Sequence, residues 1–107
     1  MRRILFLCSQ NKLRSPTAEA VFAGHPGIEV DSAGLNNDAV VPLSAEQIEW
    51  ADTIILMEKA HRIRLNRKFR SFLGRKQIVV LGIPDDYDYM DEDLIQLLKA
   101  RCQPYLP

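Results

Sequence analysis

Four short strand-like segments punctuate the sequence, at residues 4–7, 28–31, 53–57 and 77–81. The continuous apolar runs at 4–7 and 53–57 suit strands buried on both faces. The stretches between them carry helix signals. Strands that alternate with helices imply a parallel sheet covered on both sides. The expected fold is therefore α/β, with a four-stranded parallel sheet in the order 2-1-3-4 and helices on both faces. With 107 residues, the chain reads as one domain, residues 1–107.

The helix signals are local. Ser15-Pro16 reads as an N-cap followed by proline at the first helical position, with Ala18, Val21 and Phe22 as the apolar stripe and Gly24 at the end. Ser44 with Gln47 three residues on reads as a capping box. Residues 59–72 read as a helix whose apolar side chains, Leu65, Phe69, Phe72 and Leu73, share one face; Gly74 ends it. Asp91 caps a last helix with Leu94, Ile95, Leu97 and Leu98 on its apolar face. Residues 33–42 and 82–90 read as loops.

Composition excludes several classes. Apolar residues make up 47% and charged residues 26%, which fits a folded chain and not a disordered one. Fourteen basic and fourteen acidic residues cancel, so no global charge points to nucleic acid. No apolar run approaches the roughly 18–20 residues of a membrane span. The apolar stretch before Cys8 is short and lacks a small-residue cleavage site, so it reads as a first strand, with a cytoplasmic location expected. Two cysteines 94 positions apart form neither a disulfide framework nor a zinc spacing.

The chemistry concentrates in Cys8-Ser9-Gln10-Asn11-Lys12-Leu13-Arg14-Ser15. A buried strand leads into this loop and a helix leads out. Such a loop can aim successive backbone N–H groups at one point and hold an anion there. The helix N-terminus adds its own N–H groups and its positive dipole end. Arg14 adds a fork shaped for phosphate oxygens. Surroundings of this kind favour thiolates, the nucleophilic form of cysteine. Asn11 is best able to take a left-handed backbone angle at the tight bend. The loop has no glycine, so it is not a Walker-type loop. The competing reading is an inert buried cysteine at a strand end.

Residues 4–22, ILFLCSQNKLRSPTAEAVF, resemble the opening of low-molecular-weight protein tyrosine phosphatases. Val30-Asp31-Ser32-Ala33-Gly34 resembles that family's V-D-S-A-G, residues 51–58 its third strand, and Pro84-Asp85 with Tyr87 its D-P-Y loop. The resemblance implies a metal-independent phosphomonoester hydrolase without cofactor, most simply acting on phosphotyrosine in protein and releasing inorganic phosphate. It implies that Cys8 forms a phosphocysteine and that Arg14 binds the phosphoryl oxygens. Ser9, Gln10, Asn11, Lys12, Leu13 and Ser15 complete the phosphate loop. Asn11 and Ser32 hold the loop in shape, and Ser15 donates to the sulfur. Asp85 serves as acid and then as base.

There are departures. The chain is shorter than typical members between Lys59 and Asp85. Asp86 stands where the family has proline, so Asp85, Asp86 and Asp88 compete for the acid role; position matching favours Asp85. Leu13 replaces a second loop cysteine, and Cys102 reads as structural. The residues after Gly34 lack the pocket-lining aromatics of many members, which leaves Tyr87 and Tyr89 as candidate walls. Alternatives are a non-catalytic phosphate-binding or phosphoprotein-binding module and, less favoured, an arsenate reductase. The basic stretch 58–76 reads as a solvated helix face that balances the acidic stretch 85–93, in preference to a nucleic-acid surface. His61 reads as a surface residue, and Trp50 as packing.

Overall fold

The computed structural model describes residues 1–107. Strands β1 (Arg2–Cys8), β2 (Ile28–Gly34), β3 (Thr53–Leu56) and β4 (Gln77–Val80) form one parallel sheet in the order β2-β1-β3-β4. This is the order expected. Helices α1 (Arg14–Phe22), α2 (Ala45–Trp50), α3 (Lys59–Leu73) and α4 (Glu92–Cys102) connect and follow the strands, and a short 3-10 turn covers Gln103–Tyr105.

β1 lies between two partners, and Ile4 to Leu7 are fully buried. Side chains alternate across a strand, so β1 feeds two cores. Ile4, Phe6 and Cys8 join Ala18 and Phe22 of α1 and Leu94, Leu98 and Cys102 of α4. Leu5 and Leu7 join Ile48 of α2 and Leu65 and Leu73 of α3 on the opposite face. Phe6 stacks on Phe22 with ring centroids 5.8 Å apart. Burying each such side chain contributes roughly 1.5–3 kcal/mol.

The caps at Ser44 and Asp91 form as read. Ser44 and Gln47 make a reciprocal capping box, and the Asp91 carboxylate accepts from the N–H groups of Asp93 and Leu94. The start of α1 differs. The helix begins at Arg14, with Leu13 at the cap and no side-chain cap bond. Ser15 is therefore not the N-cap and Pro16 is not the first helical residue. The loop delivers the chain already helical at Arg14, and the Ser15 hydroxyl is engaged elsewhere.

Two further expectations change. β2 runs on to Gly34, so the loop after it starts later than residue 33. In α3, Leu65 and Leu73 are buried but Phe72 is 40% exposed. The helix is kinked at Phe69, which has φ −129° and ψ 19°, and the kink shifts the residues beyond it off the ideal apolar stripe.

Candidate active site

The carboxyl ends of the strands converge on one edge, where open α/β sheets form their binding crevices. Residues 8–14, following β1, curve around a cavity of about 80 Å³. Cys8, Ser9, Gln10, Lys12, Leu13 and Arg14 line it from one loop, and Asp85 lines it from the segment after β4.

The curvature of the loop has local causes. Asn11 adopts a left-handed backbone conformation, φ +54°, which asparagine tolerates better than most residues. The carbonyls of Cys8, Ser9 and Gln10 turn outward and accept from the N–H groups of Leu35, Asn36 and Val40. The N–H groups of Ser9 to Leu13 make no backbone hydrogen bond. With their carbonyls turned outward, these donors can serve an anion in the loop. The first turn of α1 adds unpaired N–H groups at the same place.

Behind the loop runs a buried polar chain. Ser15 Oγ lies 3.0 Å from Cys8 Sγ. Asn11 Nδ2 donates to Ser15 Oγ and to Ser32 Oγ, both at 2.9 Å. Ser32 Oγ donates in turn to the Glu19 carboxylate. Ser15 Oγ also lies 3.4 Å from the Ala33 carbonyl, so its one hydrogen can serve either that oxygen or the sulfur. Asn11 and Ser15 thus stand behind the loop and do not line the cavity. Glu19, which anchors the far end of the chain, was not singled out from the sequence; its place one helical turn after Ser15 was the available signal.

Arg14 is 3% exposed. Its Nη1 donates to Glu58 Oε2 at 2.7 Å and to the Ile83 carbonyl at 2.8 Å. Its Nε lies 3.7 Å from Asp85 Oδ1. One nitrogen is thus committed to orientation, and the remaining donors of the fork are left for a ligand. Glu58, at the N-cap of α3, is a second residue to which the sequence assigned no site role.

His61 is buried, in contrast to the surface position expected for it. The Glu58 N–H donates to its Nδ1 at 3.2 Å, so Nε2 carries the ring proton and faces Ser9 Oγ at 3.1 Å. Burial and, next, the Arg14 charge push the pKa of His61 down from 6.5 to about 4. The signal that could have placed it is its position three residues after the helix cap, where a side chain folds back on the cap N–H.

The expected substrate walls are not in place. Neither Tyr87 nor Tyr89 lines the cavity. Tyr87 packs against the core shared by α1 and α4, and Tyr89 is 53% exposed. Asp85 faces Arg14 and is largely exposed; Asp86 and Asp88 line no part of the cavity. Cys102 is fully buried in α4, and burial pushes its thiol up to about 12. No three His, Cys, Asp or Glu side chains come together as metal ligands. No helix is long and apolar enough to cross a membrane.

The arrangement pairs a sulfur with an anion cradle, a guanidinium fork and a carboxylate beside that fork. It can hold a tetrahedral anion with its central atom against sulfur. Comparison with known proteins agrees with the fold. A protein-arginine-phosphatase of Geobacillus stearothermophilus is 31% identical over an alignment 91 positions long, and the match covers 63% of this chain. The chain spans 62% of that relative's length. The Vibrio vulnificus protein Wzb, solved with benzylphosphonate, superposes with a TM-score of 0.78 over 97% of this chain and 96% of its own, at 24% identity. A low molecular weight protein tyrosine phosphatase from Streptococcus pyogenes superposes with a TM-score of 0.78 over 98% of this chain and 91% of its own, at 19% identity. No family model matches the chain.

Proposed function

We propose that this chain, which shares the fold of a low molecular weight protein tyrosine phosphatase, is a metal-independent phosphomonoester hydrolase acting through Cys8. The observation that carries the reading is the run of N–H groups from Ser9 to Leu13 without a backbone partner, in the loop whose Cys8 and Arg14 line one cavity. Such a run offers preorganised donors to the equatorial oxygens of a phosphoryl group.

In the first step the Cys8 thiolate attacks phosphorus and the bond to the leaving oxygen breaks. Asp85 gives that oxygen a proton. Arg14 and the loop N–H groups hold the phosphoryl oxygens throughout. In the second step water attacks the phosphocysteine, its proton passes to Asp85, the S–P bond breaks and phosphate leaves. Ser15 stabilises the departing thiolate by donating to it. The substrate in this reading is phosphotyrosine in protein, and product phosphate competes for the loop.

One observation favours a second substrate. The cavity has no aromatic lining, and the curated relative is a protein-arginine-phosphatase. A phosphoarginine side chain needs no ring slot, and the same steps would cleave its P–N bond, with the proton from Asp85 going to nitrogen. Against this, exposed Lys12 on the cavity rim disfavours a cationic leaving group.

The test is turnover of an activated aryl phosphate, a phosphotyrosine peptide and a phosphoarginine peptide in the presence of chelator. The expected result is hydrolysis by wild type, with phosphotyrosine preferred. Cys8→Ser loses turnover but keeps phosphate binding, and Arg14→Ala loses both. Absence of any turnover, with phosphate still bound at the loop, would instead identify a phosphate-binding module on this fold.

A further inference from the structure

Between Lys59 and Lys76 the chain carries eight basic side chains and no acidic one. None of the eight lies within ion-pair distance of a carboxylate. The ion pairs in the molecule join Arg14 to Glu58 and Arg14 to Asp85. The acidic stretch 85–93 therefore does not neutralise the basic helix by contact. Like charges gathered on one helix repel each other, and here no internal counter-charge relieves them.

One edge of this basic helix starts at the active site. Arg64 donates to Ser9 Oγ at 3.5 Å and to the Asn36 side chain. One turn further, Lys68 Nζ donates to Asn37 Oδ1 at 2.6 Å. Arg64 and Lys68 thus lead away from a cavity-lining residue along the loop after β2. On the outer side of the same helix, Ile63, Asn66, Arg67 and Arg70 line an open groove, and Ile63 is 62% exposed.

We propose that this face of α3 is a docking surface for acidic residues that flank the phosphorylated residue of a protein substrate. The inference rests on the phosphatase reading and names the substrate class for that site. Two guanidinium groups beside an exposed isoleucine suit a peptide of mixed acidic and apolar side chains. Unpaired nucleic-acid strands are gripped by aromatic platforms as well as by charge, and the groove offers no aromatic side chain. Complementary charge acts mainly on encounter rate, so the effect belongs in kcat/KM and depends on salt.

The experiment compares phosphotyrosine peptides with acidic, neutral and basic flanks, using the full chain and the triple variant Arg67→Gln, Lys68→Gln, Arg70→Gln. Glutamine keeps the helix propensity of the residues it replaces. For wild type at low salt, kcat/KM on the acidic peptide is expected to exceed that on the neutral one by about tenfold, with the advantage shrinking at high salt. The triple variant loses the advantage and keeps its rate on a small aryl phosphate. Equal rates on acidic and neutral peptides in wild type, or an advantage that survives in the variant, overturn the proposal.

Failure of the phosphatase reading looks different, because no substrate turns over. Fluorescence anisotropy of the same peptides on the Cys8→Ser chain then still decides the docking surface. An acidic preference that the triple substitution abolishes supports it, and equal affinities reject it. Tighter binding of a single-stranded oligonucleotide than of the acidic peptide also rejects it, as does a dimer lost on triple substitution without any peptide preference.

Discussion

His61 Nε2 lies 3.1 Å from Ser9 Oγ, and this contact ties the first turn of α3 to the residue that follows Cys8. The ring is fixed from its other side by the Glu58 N–H, which needs an unprotonated Nδ1. A second proton on the ring would set a donor against that donor. The same residue thus positions the phosphate loop and senses acid.

Stability should therefore fall as pH drops through the window from 6.5 to about 4. The folded pKa of His61 lies below its unfolded value, so the unfolded state binds more protons in that window and stability rises with pH. The stabilisation is present above pH 6.5 and is lost towards pH 4, with an upper magnitude of about 3 kcal/mol. Urea denaturation between pH 7 and 4.5 measures it. His61→Gln, which can retain the capping bond, should flatten this limb; an unchanged limb would show that other groups carry the acid sensitivity.

Glu58 draws on the same guanidinium that a phosphate would use. Replacing it with glutamine removes a negative charge beside the anion site while keeping an acceptor for Arg14. Inhibition by inorganic phosphate is expected to strengthen by roughly three- to tenfold at neutral pH. Weaker inhibition in Glu58→Gln would mean that the charge serves to orient Arg14 more than it competes with the ligand.

Much of this was legible in the chain, and what was missed has a common cause. The four strand segments, the caps at Ser44 and Asp91 and the loop from Cys8 to Arg14 are signals written within a few neighbouring residues. Ser15 misled because a serine before proline ordinarily marks a helix start, whereas here its hydroxyl answers to Cys8 and Asn11. His61 and Glu58 look like polar helix residues until β3 delivers them against Arg14 and Ser9. Tyr87 looks like a wall until the segment after β4 turns it onto the α1–α4 core. Except for the Asn11–Ser15 bond, the hydrogen bonds concerned span from 7 to 52 positions, which a local pattern does not reveal.

Asp85 lines the cavity with its Oδ1 3.7 Å from Arg14 Nε, whereas Asp86 and Asp88 line no part of it. If Asp85 is the acid, Asp85→Ala should slow substrates with poor leaving groups most, by about 10²–10⁴-fold, and activated aryl phosphates least. Asp86→Ala should change neither by more than a few-fold. A plot of log kcat against leaving-group pKa, measured for both variants, decides the assignment. Equal losses from Asp86→Ala alone would move the acid role to that residue.

Gly34, at the end of β2, is where the backbone of the phosphate loop comes closest. A Cβ there would stand 2.5 Å from Ala39 Cβ, 2.7 Å from the Ser9 carbonyl oxygen and 2.9 Å from the Asn11 nitrogen. Two of these neighbours are backbone atoms of the loop that shapes the anion cradle, so neither can move without redirecting its N–H groups. Gly34→Ala should cost about 2–3 kcal/mol in urea denaturation, and the surviving folded protein should lose at least roughly tenfold in phosphate affinity as the cradle is displaced. Gly24→Ala is the matched control, since a Cβ there meets nothing within 4 Å. A Gly34→Ala protein that is destabilised yet binds phosphate as wild type would show that β2 supports the fold without setting the shape of the loop.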